Sequence, residues 1–200
     1  MKYPEFFKTI ETITLQDDLA GFLGTFENGI IEFNYTEIVK ASGHSCPTVA
    51  GAYLCTLEGL KALYGEDTPK RGEIFVSFKE DVNEGVAGVI ASVITHITGA
   101  TEAHGFKGIN GNFARTLLMK FNDSISSSVK FQRLDTGKSV EVTYDPSSIT
   151  PDPKQMELMQ KIMQKQANME EKKEFGILWQ QRVKNIFENI DKVISIKNDN

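Results

Sequence analysis

The sequence predicts an α+β fold, in which an antiparallel sheet of about four or more strands packs with helices and is followed by a C-terminal helical appendage. Up to residue 145, stretches with helical apolar periodicity alternate with short runs rich in β-branched and aromatic residues. Prolines and serines at 145–153 then precede a segment rich in Met, Gln, Lys and Glu. With 200 residues, 40% of them hydrophobic, the chain can bury one substantial core, and we expect domains at 1–148 and 149–200.

Four stretches of the first part carry helix signals. Apolar residues at 3–31 recur at roughly helical spacing, but glycines interrupt them, which favours short helices. A threonine can cap a short helix over 36–41. Apolar positions over 47–64 trace one helical face, and proline suits the first turn because its missing N–H would have no intrahelical partner there. Spacings of three and four residues predict a further helix over 86–97, which Gly99 ends.

Strand signals follow the 47–64 helix at several places. Runs of β-branched and aromatic residues predict strands at 73–78, 115–121, 128–134 and 139–144. Asp135–Lys138 predicts a hairpin turn between the last two. Beyond the linker, apolar positions at helical spacing predict two amphipathic helices, over 156–167 and 175–193, which form the appendage.

Composition and charge exclude several classes of protein. The chain carries 27 acidic and 22 basic residues, and the lysines are scattered, so nucleic acid is not an expected partner. No apolar run reaches the length of a membrane span, and the first residues lack the pattern of a signal peptide, so we expect no membrane association and a cytoplasmic location. Two cysteines, Cys46 and Cys55, cannot make a disulfide framework and suit a reducing compartment.

The strongest candidate site is the pair His44 and Cys46, just before the 47–64 helix. Free N–H groups and the helix dipole favour an anion such as a thiolate at Cys46. A histidine two residues earlier can place its imidazole on the same metal ion as the sulfur. The residues alone leave an alternative open, in which His44 is satisfied by hydrogen bonds and Cys46 is an inert, buried thiol.

The other two histidines lie close together around Gly99. We expect His104, on a loop, to be the third metal ligand, because three protein ligands and one water are the usual arrangement of an open zinc site. His96 should face inward at the edge of its helix, either as a ligand or as a core histidine bonded to a carbonyl. Cys55, nine residues after Cys46, should lie on nearly the opposite side of the helix and only pack.

The glycine-rich loop after Gly99 allows two interpretations. Its backbone N–H groups could cradle an anion, or it is a turn-rich connection, which the absence of a phosphate-binding spacing favours. The residues concerned are Gly99, Gly105, Gly108 and Gly111 with Lys107, Asn110, Asn112 and Arg115. A pocket formed by His96, Tyr53, Lys107 and Asn112 would assist chemistry at a metal.

Two blocks of sequence carry a family resemblance. The first is Gly43–Pro47, which reads Gly-His-Ser-Cys-Pro and precedes a helix of small residues, and the second joins 97–101 with 108–112. In this order they resemble the two hallmarks of the formylmethanofuran dehydrogenase FmdE family. The resemblance covers roughly 33–121. It implies an α+β core, a bound metal ion that is often zinc, frequent homodimers and a poorly defined biochemical role.

Departures from the family pattern concern the predicted ligands. Ala100 stands where the family has a cysteine, and Val89 and Ser92 stand where it tends to have cysteine and aspartate. His104, in a longer loop, is therefore the expected substitute. No cysteine follows Cys55, so the C-terminal zinc ribbon of some family members is replaced by the helical appendage.

Three functions follow from these residues. The first is an accessory or metal-binding protein that holds zinc or another divalent transition metal, as a homodimer, with a larger enzyme complex or a small molecule as a further partner. The second is a zinc-dependent enzyme acting on a small carbonyl substrate through His44, Cys46 and His104. The third is a metal-free thiol enzyme with Cys46 as nucleophile.

Overall fold

A computed structural model describes residues 2–199 and contains one large and one small sheet with helices packed against them. The strands are β1 (Ile13–Gln16), β2 (Ile30–Phe33), β3 (Ile74–Phe78), β4 (Met119–Lys120), β5 (Val129–Arg133), β6 (Ser139–Tyr144) and β7 (Ile194–Asp199). The helices are α1 (Asp18–Phe22), α2 (Tyr35–Ser42), α3 (Pro47–Tyr64), α4 (Ala87–Thr98), α5 (Pro153–Met163), α6 (Met169–Phe187) and α7 (Ile190–Val193), with short 3-10 helices at Glu5–Thr9 and Glu27–Gly29. None of these helices is both long enough and apolar enough to span a membrane.

The large sheet confirms the α+β class. Its five strands run in the order β4-β3-β5-β6-β7, and all neighbouring pairs are antiparallel except β3 and β4, which are parallel. The predicted hairpin between β5 and β6 is present. The predicted strand at 115–121 is wrong over most of its length, since only Met119–Lys120 pair. Phe113 and Leu117 have φ angles of 64° and 60°, and this left-handed backbone cannot belong to a strand.

The N-terminal region contains the predicted short helices, at Glu5–Thr9, Asp18–Phe22 and Glu27–Gly29, and also two strands that were not predicted. β1 and β2 pair as an antiparallel ribbon, with Ile13 opposite Phe33. The ribbon forms because alternate residues of β1, Ile13 and Leu15, are buried in the core. The short helix α2 is present, but Asn34 rather than a threonine caps it, in a capping box with Glu37.

Helix α3 lies in the centre of the molecule and packs across β5 and β6. Two of its glycines let strand side chains approach the helix backbone. A Cβ at Gly51 would lie 2.2 Å from the Tyr144 ring, and a Cβ at Gly59 would lie 2.8 Å from the Phe131 ring. The close approach also brings the Tyr144 hydroxyl to the first turn of α3, where it donates to the Pro47 carbonyl at 2.7 Å.

We expect Gly51→Ala to lower the free energy of unfolding by about 1–3 kcal/mol, because the added methyl group must displace the Tyr144 ring. Chemical denaturation measures the change. Gly176→Ala is the matched control, since Gly176 is also helical and has open space around it. It should raise the free energy of unfolding by about 0.5–1 kcal/mol through helix propensity. A destabilisation of equal size in both variants would show that the Tyr144 contact is not its cause.

The C-terminal helices are present as predicted, with two differences. The helix predicted over 175–193 is α6, which already ends at Phe187, and the short helix α7 follows after a turn at Asn189. The chain then forms β7, which pairs with β6 and was not predicted. Val183 and Ile186 of α6 are fully buried in the hydrophobic core, where α6 contacts α3. The division of the chain at residue 148 stays a prediction.

Candidate metal site

The candidate metal site begins at the turn between α2 and α3. Gly43 ends α2 with a φ of 76°, a left-handed conformation that glycine adopts without strain. Cys46 is the N-cap of α3, and its Sγ accepts a hydrogen bond from the Val49 N–H at 3.4 Å. The thiol group therefore occupies the place that a serine or aspartate side chain usually takes, beside the positive end of the helix dipole.

His44 is exposed, and one of its ring nitrogens is already engaged. Its Nδ1 lies 3.0 Å from the Ser42 carbonyl oxygen. A carbonyl oxygen can only accept, so this contact requires the proton on Nδ1 and leaves the lone pair of Nε2 available. A backbone carbonyl that orients a histidine in this way is typical of imidazoles that bind metals.

Three elements hold the loop between these two residues. The Ser45 carbonyl accepts from Trp179 Nε1 at 3.0 Å and from Gln180 Nε2 at 3.1 Å, both on α6. The Ser45 hydroxyl lies 3.0 Å from the hydroxyl of Tyr35 on α2. Together with the bond from β6 to Pro47, these contacts fix the loop between the helices and the sheet.

The predicted third ligand does not complete a site within one chain. His104 is exposed on its loop, where its carbonyl oxygen contacts the Thr101 hydroxyl. Over residues 2–199, no three His, Cys, Asp or Glu side chains come together so that they could hold one metal ion. Zinc takes three protein ligands in open sites and four in closed ones. His44 and Cys46 of a single chain therefore supply two of the three or four donors that a zinc site needs.

The remaining predicted site residues lie in different surroundings. Burial raises the pKa of the Cys55 thiol to about 12, which agrees with its predicted packing role. Tyr53 is buried in the core, where its hydroxyl donates to the Glu11 carbonyl at 2.6 Å. Lys107 and Asn112 are exposed on the loop after α4.

His96 was predicted to face inward, whereas the structure leaves the residue exposed and only partly covered. Its ring makes a T-shaped contact with the Phe33 ring, at 5.6 Å between centroids. The Arg71 guanidinium takes the inner position at this turn of α4, where it donates to the carbonyls of His96 and Ile97 at 3.2 and 2.9 Å. Burial and the charge of Arg71 lower the pKa of His96.

Beside His96 lies a cavity of about 570 Å³ that no sequence pattern predicted. Its charged lining consists of Asp17, Arg71 and Arg115. Asp17 accepts from Arg71 Nη1 at 2.9 Å and from Arg115 Nη2 at 2.6 Å. Of these three residues, the sequence places only Arg115, in the glycine-rich loop, in a possible anion site. Asp17 and Arg71 carry no local motif that would have identified them.

Comparison with known proteins connects the chain with one family. A family model described as "FmdE, Molybdenum formylmethanofuran dehydrogenase operon" matches residues 41–195, well over half of the chain. The matched segment includes the His44–Cys46 loop, the large sheet up to the start of β7, and α6, which holds the loop. A search of curated proteins finds no match.

Proposed function

This chain belongs to the FmdE family, and we propose that it is a cytoplasmic accessory protein that binds a divalent transition metal, most favourably zinc, through His44 and Cys46. The observation that carries the proposal is the arrangement of the two donor atoms. His44 is held with Nε2 available, and the Sγ of Cys46 lies at the helix N-terminus, where it accepts a hydrogen bond from the Val49 N–H. Imidazole nitrogen and thiolate sulfur are the ligands that zinc prefers.

A second copy of the chain supplies the other ligands in this proposal. In a two-fold symmetric dimer the same surface of both copies meets, so we place exposed His44 and half-buried Cys46 at the axis, where the pair faces its counterpart in the second copy. Two such pairs make a set of two histidines and two cysteines, which is a common tetrahedral zinc site. Zinc with four protein ligands stabilises an assembly and keeps no open position. This favours the accessory role over a zinc-dependent enzyme.

The family description connects its members with a molybdenum formylmethanofuran dehydrogenase operon. We therefore propose that the partner of the metal-bound dimer is a larger enzyme. The C-terminal helix α6 supports the metal loop through Trp179 and Gln180, so this part of the chain belongs to the proposed site as well.

Zinc titration of the full chain and four variants tests the ligand assignment. We expect His44→Ala and Cys46→Ala each to weaken zinc binding by more than the roughly 100-fold effect of removing a supporting hydrogen bond. His96→Ala and His104→Ala are matched controls, since both are exposed histidines outside the proposed ligand set. Unchanged zinc affinity in Cys46→Ala would refute the proposal. A loss in His104→Ala as large as that in His44→Ala would show instead that His104 is a ligand.

A further inference from the structure

The cavity beside His96 has the size and the lining of a small-molecule site. Its volume of about 570 Å³ falls within the roughly 300–1,000 Å³ of known ligand pockets. The lining comes from α1, β2, α4 and the glycine-rich loop, so distant parts of the chain meet here. Neither His44 nor Cys46 contributes to it.

The charged side chains that line the cavity sum to one positive charge. Two carboxylates outside the lining also act here, Glu73 on Arg115 and Glu37 on His96. Two guanidinium groups, of Arg71 and Arg115, face the single carboxylate of Asp17, and the side chains of Asp17 and Arg115 are almost fully buried. The nearby pair of Lys70 and Asp18 is neutral as a whole. A positive charge in a partly closed cavity attracts an anion more strongly than the same charge in open water.

The guanidinium of Arg71 has more N–H groups than it uses in hydrogen bonds. Its Nε donates to the Ile97 carbonyl and one N–H of Nη2 donates to the His96 carbonyl. One N–H of Nη1 donates to the Asp17 carboxylate. A guanidinium has five N–H groups, so two remain, one on each terminal nitrogen. They find no acceptor within residues 2–199. The Arg71 side chain is 21% exposed, whereas that of Arg115 is 9% exposed, so Arg71 is the arginine that a ligand can reach.

The surrounding backbone holds both arginines in position. Gly72 and Gly99 have φ angles of 84° and 76°, and a Cβ at Gly72 would overlap the Arg115 guanidinium, while a Cβ at Gly99 would lie 3.3 Å from Arg71 Cζ. The Arg71 guanidinium also lies over the Phe33 ring, 5.6 Å from its centroid. Such fixed donors lose little conformational freedom when they bind an anion.

The upper part of the cavity is apolar and open to solvent. Leu23, Phe26 and Phe106 line it and are 60%, 42% and 41% exposed. Binding of a ligand that covers these exposed apolar side chains is favourable, because it removes apolar surface from water.

We propose that this cavity binds a small organic monocarboxylate whose carboxylate pairs with the free N–H groups of Arg71 and whose apolar or aromatic body packs on Leu23, Phe26 and Phe106. Guanidinium and carboxylate groups match in a bidentate geometry. A single negative charge neutralises the charged lining, whereas a phosphate dianion leaves an excess of negative charge beside Asp17. The site goes beyond the proposed metal function and does not depend on it.

Titration of the metal-free full chain with 3-phenylpropionate, followed by amide NMR shifts, tests the proposal. We expect saturable shifts at Thr101 and Gly105, with dissociation constants of about 1 mM or lower. The amide 3-phenylpropionamide and phenyl phosphate should each bind at least about tenfold more weakly. Equal binding of acid and amide, tighter binding of phenyl phosphate, or no saturation at about 10 mM acid would overturn the proposal.

Two variants test separately what Arg71 and the apolar lining contribute to binding. Arg71→Gln should weaken 3-phenylpropionate binding about tenfold or more, and Arg133→Gln, which changes an arginine elsewhere in the chain, should leave it unchanged. Phe106→Ala, in an exposed loop, should weaken binding without affecting the fold, so it serves if Arg71→Gln does not fold. His44→Ala should bind the acid normally, which keeps this test separate from that of zinc binding. Normal binding in Arg71→Gln or in Phe106→Ala would contradict the assignment of that residue to the site.

Discussion

Asp17→Asn should lower the free energy of unfolding by about 3–5 kcal/mol, the largest loss we expect from a single polar substitution in this chain. Asp17 is 3% exposed and is the carboxylate that both Arg71 and Arg115 contact. Asparagine has nearly the same shape but no charge, so two guanidinium groups would remain beside each other without a counter-charge. Chemical denaturation near pH 7 measures the loss.

The neighbouring residue provides the control for this substitution. Asp18 forms one ion pair, with Lys70 at 3.4 Å, and both side chains are more than one third exposed. Asp18→Asn should therefore cost no more than about 1 kcal/mol. Equal losses of unfolding free energy in the two variants would show that the buried Asp17 cluster contributes no more to stability than an exposed ion pair.

The contribution of Asp17 should also depend on pH. Burial alone would raise the pKa of Asp17, but hydrogen bonds from Arg71 and the Ala20 N–H, together with the charges of both arginines, hold it below its ordinary value of 3.8. A carboxylate whose pKa is lower in the folded state than in the unfolded state stabilises the folded state. This contribution is complete above the pKa of the unfolded state and is lost as the pH falls through the pKa of the folded state. The difference between wild type and Asp17→Asn should thus be constant near neutral pH and shrink below about pH 4.

Trp179→Ala should have the second largest effect, because it removes both packing and a hydrogen bond at the metal loop. The ring packs against the hydrophobic core, and its Nε1 donates to the Ser45 carbonyl at 3.0 Å. We expect the free energy of unfolding to fall by about 3 kcal/mol. We also expect zinc affinity to fall by roughly 10- to 100-fold, since the loop between His44 and Cys46 loses a support.

Trp179→Phe separates the two contributions. Phenylalanine keeps most of the packing and loses only the N–H donor, so the free energy of unfolding should fall by about 1 kcal/mol. Zinc affinity should still fall by roughly tenfold. Normal zinc affinity in both Trp179 variants would show that α6 does not support the metal loop.

The sequence predicted those elements whose signals are local. α3 and α4 follow apolar periodicity with a proline at the start of the first and a glycine at the end of both, and the β5–β6 hairpin has its turn residues. β7 was missed because its pairing with β6 brings together residues about 50 positions or more apart, which no periodicity indicates. β1 was missed because its four residues are too few for a clear alternation.

The candidate site shows the same limit. His44 and Cys46 lie two residues apart beside a helix start, so their proximity could be predicted from the sequence. The cluster of Asp17 with Arg71 and Arg115 joins residues 54 and 98 positions apart, and charged residues at such separations pair in too many ways to predict. The choice of His104 as third ligand was of the same long-range kind and stays a prediction.

The metal content of the folded assembly tests the central claim most directly. The full chain is saturated with zinc, separated from free metal on a sizing column with light scattering, and analysed for zinc and protein, with His104→Ala in parallel. Our proposal predicts dimers with one zinc ion per two chains in both samples. Monomers with one zinc ion per chain, reduced in His104→Ala, would contradict a metal site shared by two copies.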